Sequence, residues 1–282
     1  MVAATLLALA AAALHAGWNL IVKTSADREL AAWGQFTAGA VLFSPLLFAR
    51  GIPPSAAWGF LIGSGLIHLV YVEGLVRAYH HGDFSFAYPI ARGGGALVGA
   101  VLGALILDDN LEVIAWCALA LVAAGLISFV RPGVTAASVG WAVFTAVIIG
   151  IYTAVDTAGV RRAGASVGDR FGYGVALTVC SALALTGAGL ARGRGGEFVA
   201  MIRTRWPLVL LSGVCLTGAY SLVLVAVSID GVELGYVATL RESSVVLGAL
   251  VGWLFLKERL GGGRLISSIV VLTGMIWLIG VG

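Results

Sequence analysis

Ten runs of apolar residues, each long enough to cross about 30 Å of hydrocarbon as a helix, set the terms for this chain of 282 residues. They fall near 2–22, 30–49, 56–76, 84–107, 111–130, 139–159, 170–190, 206–229, 233–256 and 265–281. The joints between them are short and polar, KTSADREL, RGIPPS, RPGVTAAS and KERLGGGR among them. RRAGASVGDR and ARGRGGEFVAMIRTRW are longer, yet too small for separate domains. The expected fold is therefore one all-α polytopic membrane domain, 1–282. The first run, MVAATLLALAAAALHAGWNLIV, lacks a basic start and is too long for a typical signal peptide, so it reads as the first span.

Composition agrees. The chain is 60% hydrophobic and 11% charged, with a mean hydropathy of +1.02, where soluble domains carry about twice that share of charge. Forty glycines suit helices packed closely in lipid. A net charge of +3 without a basic tract gives no argument for nucleic acid. Cys117, Cys180 and Cys215 stand singly in apolar stretches and read as small core residues.

The two halves repeat. At an offset of 149, Tyr71 meets Tyr220, Gly82 meets Gly231 and Arg92 meets Arg241. Gly99 and Gly103 then meet Gly248 and Gly252, Asp109 meets Glu258, and Gly125 meets Gly274. The first span pairs with the sixth at an offset of 134, Trp18 opposite Tyr152. Five spans per half force the second half to enter from the opposite side, so the repeats, 1–131 and 138–282, are inverted. Inverted repeats are typical of secondary transporters, with the site at the repeat interface near the midplane. The odd-numbered joints hold eleven lysines and arginines against four in the even-numbered ones. That bias places the odd joints in the cytoplasm and both termini outside.

The fourth span of each half ends in a Leu-acidic turn, LDDNL (107–111) and LKERL (256–260). With ten spans in two five-span repeats, the chain resembles the EamA-type branch of the drug/metabolite transporter (DMT) superfamily over nearly its whole length. The resemblance implies a carrier in a bacterial cytoplasmic (inner) membrane, moving amino acids, other small metabolites or drugs. Arginines inside the fourth and ninth spans depart from the more hydrophobic drug exporters and argue against a purely cationic or lipophilic cargo.

Those arginines are the leading site candidates. Arg92 and Arg241 each precede the end of their span by 15 residues, or about 22 Å. Inversion displaces them toward opposite faces, bracketing the middle. Either they face a central cavity and bind an anionic group, or they snorkel on long stems. Three glycines after Pro89 (Gly93, Gly94 and Gly95) are expected to break the fourth span. Glu73 has two candidate partners, Arg92 across a hairpin and Arg77 one turn on, while Glu242 lies beside Arg241 but about 100° around the helix, so it needs another partner or a proton. His15, Trp18 and Asn19 share one face of the first span, His15 as substrate contact, proton carrier or interhelical hydrogen-bond partner. Tyr152 and Asp156 are their counterparts in the sixth span, Asp156 with Arg161 as an alternative ion-pair partner. Tyr220 and Tyr236, with His68 and Tyr71, are further lining candidates. Trp33, Trp58, Trp116, Trp141, Trp206 and Trp277 read as an interfacial belt, and the twin GxxxG motifs as close helix contacts.

Two other classes fit less well. An intramembrane enzyme lacks a positioned set: Ser64 and His68 have no orienting acid, and His80, His81 and Asp83 lack metal-protease spacing. A channel leaves the repeats unexplained, and no phosphate-binding loop is present for ATP-driven transport. The sequence thus predicts a non-enzymatic secondary carrier, monomeric or homodimeric, for a small anionic or zwitterionic metabolite. It needs no cofactor or metal, and protons or a counter-transported solute are its candidate coupled species. The weaker alternative is a carrier of cationic or lipophilic drugs.

Overall fold

The structure, a computed structural model, describes residues 2–106, 112–130, 132–227, 229, 237, 240–258 and 261–280. Its helices are α1 (Val2–Thr24), α2 (Arg28–Phe43), α3 (Pro45–Arg50), α4 (Ser55–His81), α5 (Phe84–Ile106), α6 (Val113–Ile127), α7 (Ala136–Ala163), α8 (Val167–Ala191), α9 (Gly195–Val227), α10 (Ser244–Leu254) and α11 (Gly261–Gly280). Among the described residues no strand occurs. Seven spans are long and apolar enough to cross a membrane, with Val113–Ile127 and Gly263–Trp277 as shorter apolar helices. This is a polytopic helical membrane protein. Taking α2 and α3 as one span, broken where Pro45 starts a new helix at the position that tolerates a missing N–H, the described helices number ten.

Small residues decide which helices touch. In α1, Ala4, Ala8 and Ala11 are wholly buried on one stripe and pack with Val223 and Ala226 of α9. The α6–α11 contact is a mutual glycine approach. A Cβ on Gly125 would meet Val271 Cγ2 at 2.7 Å, and one on Gly274 would meet Val122 Cγ2 at 2.7 Å. Further extensive contacts join α4 to α7, α5 to α7 and α10, and α2 to α8 and α9.

Two expectations change. The fourth span does not break: α5 runs through Pro89, and the glycines serve packing instead. A Cβ on Gly94 would lie 2.8 Å from Ala146, and one on Gly95 would overlap Ile149. The long joint at 191–206 is largely helical, since α9 begins at Gly195 and kinks at Arg205, where Pro207 withholds an N–H. The GxxxG motifs make the close helix contacts expected of them, each with its own partner. Gly248 and Gly252 admit Tyr88 and Ser85 of α5, whereas Gly99 faces Thr153 of α7. The LDDNL turn (107–111), with Asp109, and Gly231 lie outside the described residues.

The odd-numbered joints gather at one end through specific bonds. Lys23, closing α1, donates to the carbonyls of Tyr79 and Gly82 in the α4–α5 joint at 2.7 and 2.6 Å. Ser138 of α7 donates to the His81 carbonyl. Arg264 of α11 pairs with Asp83 at 2.6 Å and donates to Ser85 Oγ at 2.7 Å. Glu258 accepts the amides of Phe84 and Ser85 at 2.5 and 2.8 Å, capping the positive N-terminus of α5. Arg192 and Arg194 of the α8–α9 joint reach Asp27 and Glu29.

Candidate functional site

At that end the bundle is sealed; toward the other it holds a cavity of about 580 Å³. The floor is charged. Arg92 of α5 donates to Glu242 Oε1 at 2.6 Å, and Arg241 reaches the same oxygen at 3.2 Å. The two guanidinium groups therefore converge on one carboxylate oxygen rather than bracketing the middle from opposite sides. Glu242 is buried beneath them, while Arg92 and Arg241 both line the cavity. One turn holds the helical partners side by side: residues 240–242 are helical and Ser243 begins a break before α10. Adjacent side chains thus meet here despite the 100° between them.

Several buried polar atoms around this triad have no partner in the protein: Trp18 Nε1, Tyr88 Oη, Arg92 Nε, Arg241 Nε, Glu242 Oε2 and Ser244 Oγ. A buried donor without a partner costs about 1–3 kcal/mol. Concentrating them at one blind end marks a place prepared for a polar guest. Five of the six can donate, three as N–H and two as hydroxyls, which favours an acceptor-rich, anionic group.

Above the floor the walls are aromatic. His68 lies 4.5 Å from the Tyr152 ring and 5.8 Å from Tyr71, and Tyr71 meets Tyr152 edge-on at 5.5 Å. His15 sits against Trp18 at 5.1 Å and Tyr88 at 6.3 Å. His68 is anchored to the Ser64 carbonyl at 2.8 Å. Near the mouth, Asp156 accepts from Tyr173 Oη at 3.1 Å, and Tyr220 Oη donates to the Arg170 carbonyl at 3.2 Å. The mouth is shaped locally by sequence. Gly164 ends α7 at a φ of 138°, a conformation open to glycine, and Ser166 and Asp169 form a reciprocal capping box that starts α8.

Of the residues expected at the site, Arg92, Arg241, His15, Trp18, Tyr152 and Tyr220 line this cavity, as do His68 and Tyr71. Glu242 supports its floor. Asn19 does not line it; it accepts from Tyr79 Oη at 2.6 Å and donates to the His15 carbonyl, tying α1 to α4. Glu73 is elsewhere altogether. It takes Arg77 Nε at 2.5 Å on the outer face of α4, so the one-turn partner prevails over Arg92. Tyr236 lies outside the described residues. Asp156 pairs with Tyr173, and among the described residues it makes no ion pair with Arg161. Tyr88 and Tyr173 were not anticipated; an aromatic in an apolar span carries no periodic signal that separates wall from packing.

Other expectations also shift. Trp33 is no belt residue: it is buried, stacks on Phe198 at 3.8 Å and donates to Thr186. Trp116, Trp206 and Trp277 do face outward. Of the cysteines only Cys215 is buried, and Cys117 faces outward. His80 and His81 form the last turn of α4.

No family model and no curated protein matches the chain. A solved crystal structure of a protein is similar over 97% of this chain and 95% of its own, with 19% identity and a TM-score of 0.60. At that identity the likeness establishes a shared helical fold alone.

Proposed function

We propose that this protein is a secondary carrier for a small anionic or zwitterionic metabolite, working by alternating access and built as two inverted repeats of the EamA type in a bacterial cytoplasmic membrane. The observation that carries the reading is the cavity floor. Two arginines share one buried glutamate, leaving an excess positive charge and unpartnered donors at the blind end. A carboxylate or phosphate accepts from such donors with charge-assisted strength.

Reciprocal packing supports the repeat. α1 lies along α9 as α4 lies along α7, and α2 meets α9 as α4 meets α8. Gly125 meets Val271 and Gly274 meets Val122, a reciprocal contact between Val122 and Gly125 and the residues 149 further on, Val271 and Gly274. Rocking one half against the other would exchange the sealed and open ends. With the basic joints in the cytoplasm, the cavity here opens outward.

The test is thermal stability of the detergent-purified protein against matched anions, zwitterions and cations, followed by counterflow in liposomes. A ligand that binds only the native state raises Tm with dose. Stabilisation by anions or zwitterions, lost in Arg241→Ala, is expected; stabilisation by cations alone overturns the reading.

A further inference from the structure

The cavity has a second charged wall that its floor does not need. Asp156 lines it near the mouth, on α7, with Tyr173 Oη as its hydrogen-bond donor and no ion pair among the described residues. Its height above the floor follows from packing. Gly95 faces Ile149 and Gly99 faces Thr153, so α5 and α7 run parallel in constant register. Arg92 is therefore level with residue 146, and Asp156 stands ten residues further on, about 15 Å along the axis at 1.5 Å per residue. Hydrogen-bond contacts of about 3 Å at either pole leave a guest to span on the order of 10 Å. The lining includes Trp18, Phe36, His68, Tyr71 and Tyr152, beside aliphatic and hydroxyl residues such as Leu177, Leu216 and Thr217.

An anion pole, an aromatic sleeve and a carboxylate at the far end make a bipolar receptacle. Resting on the carrier reading above, we propose that the cargo is an elongated zwitterion: its anionic group on Arg92 and Arg241, its stem along the aromatic wall, and a remote ammonium or guanidinium group on Asp156. An ammonium beside an aromatic face gains from the ring quadrupole as well as from the carboxylate. An α-amino acid with a neutral side chain carries its charges too close together to reach both poles. Arg161 and Arg170 line the same end. Arg161 is solvent-exposed at the rim, where solvent and salt screen it, whereas Asp156 is partly buried in the cavity wall.

The experiment uses the full chain in detergent, by thermal shift and by isothermal titration. The probes are straight-chain ω-amino acids of two to ten carbons, each beside the carboxylic acid and the alkylamine of equal length. In the wild type, affinity is expected to rise with length, to peak at six carbons or more, and to exceed that of the matching carboxylic acid about ten-fold, the effect of one charge-assisted contact. In Asp156→Asn that ratio falls to about one while carboxylic acids bind as before. Tyr173→Phe, which keeps the carboxylate, retains the preference. Should Asp156→Asn fail to fold, the wild-type series decides. If carboxylic acids bind as well as ω-amino acids at every length, or if glycine binds best, the second pole is overturned and the anion site stands. If only alkylamines bind, the carrier reading itself fails.

Discussion

At the sealed end, Arg264 gives one amino group to both Asp83 and Ser85, and Lys23 and Glu258 spend their charge on backbone groups of the same joint. Farther up the bundle Arg92 and Arg241 crowd a single oxygen of Glu242 and leave its other oxygen without a partner. Both clusters are arginine with carboxylate. They differ in satisfaction: the sealed end leaves Arg264 Nε alone unpartnered, whereas six polar atoms are orphaned around the floor. They differ in solvent as well, since Asp83 is 45% exposed and Glu242 only 10%. A half-wet, bonded cluster makes a clasp that opens at modest cost; a dry, under-bonded one makes a site.

The comparison breaks first at the floor. Arg92→Ala leaves Glu242 buried with a single, longer partner, and should lower stability by about 3 kcal/mol, the lower end for a broken buried pair, and abolish saturable uptake. Replacing both members, Arg92→Met with Glu242→Leu, should restore most of the melting temperature without restoring uptake, because apolar isosteres of a buried pair cost little. Recovery of uptake in the double variant would make the pair a fastener like the clasp.

Arg264→Ala should cost less, about 1–2 kcal/mol, because the exposed Asp83 returns to water. On the carrier reading its larger effect is on conformation. A shift of about 1.4 kcal/mol is tenfold in the ratio of sealed to unsealed forms. A cysteine placed at buried Phe84 in a cysteine-free background should then react faster with an impermeant maleimide; an unchanged rate means that Arg264 does not hold this end closed.

The smallest effect lies in the joint outside the membrane. Burial alone would push the Asp27 carboxyl up, but the Leu30 amide and the Arg194 guanidinium hold it below its usual value. The stabilisation it gives is present above the ordinary carboxylate pKa and fades as pH falls through the lowered one. Melting temperature below about pH 4 should therefore fall slightly less steeply in Asp27→Asn than in the wild type. An identical slope would mean that the Arg194 contact carries no folding energy.

Span number and position were legible because an apolar run of twenty residues has few other places to go. Arg92 and Arg241 were legible because charge is rare there. Glu73 and Glu242 looked alike in sequence, each one charge in a greasy helix, and only packing separated them: the outer face of α4 left Glu73 with Arg77, while the join of α5 and α10 buried Glu242 between two arginines. Pro89 misled for a related reason. One lost backbone bond does not end a helix when neighbouring helices grip both sides of it.

What the sequence determined by itself was the helical membrane class and the residues too polar for lipid, because transfer free energy acts on each segment locally. The tertiary structure decided which of those residues meet. Small-residue contacts such as Gly95 on Ile149 and Gly125 on Val271 set helix register to within a turn, and register decides whether a charged side chain finds a partner, a cavity or the outer face.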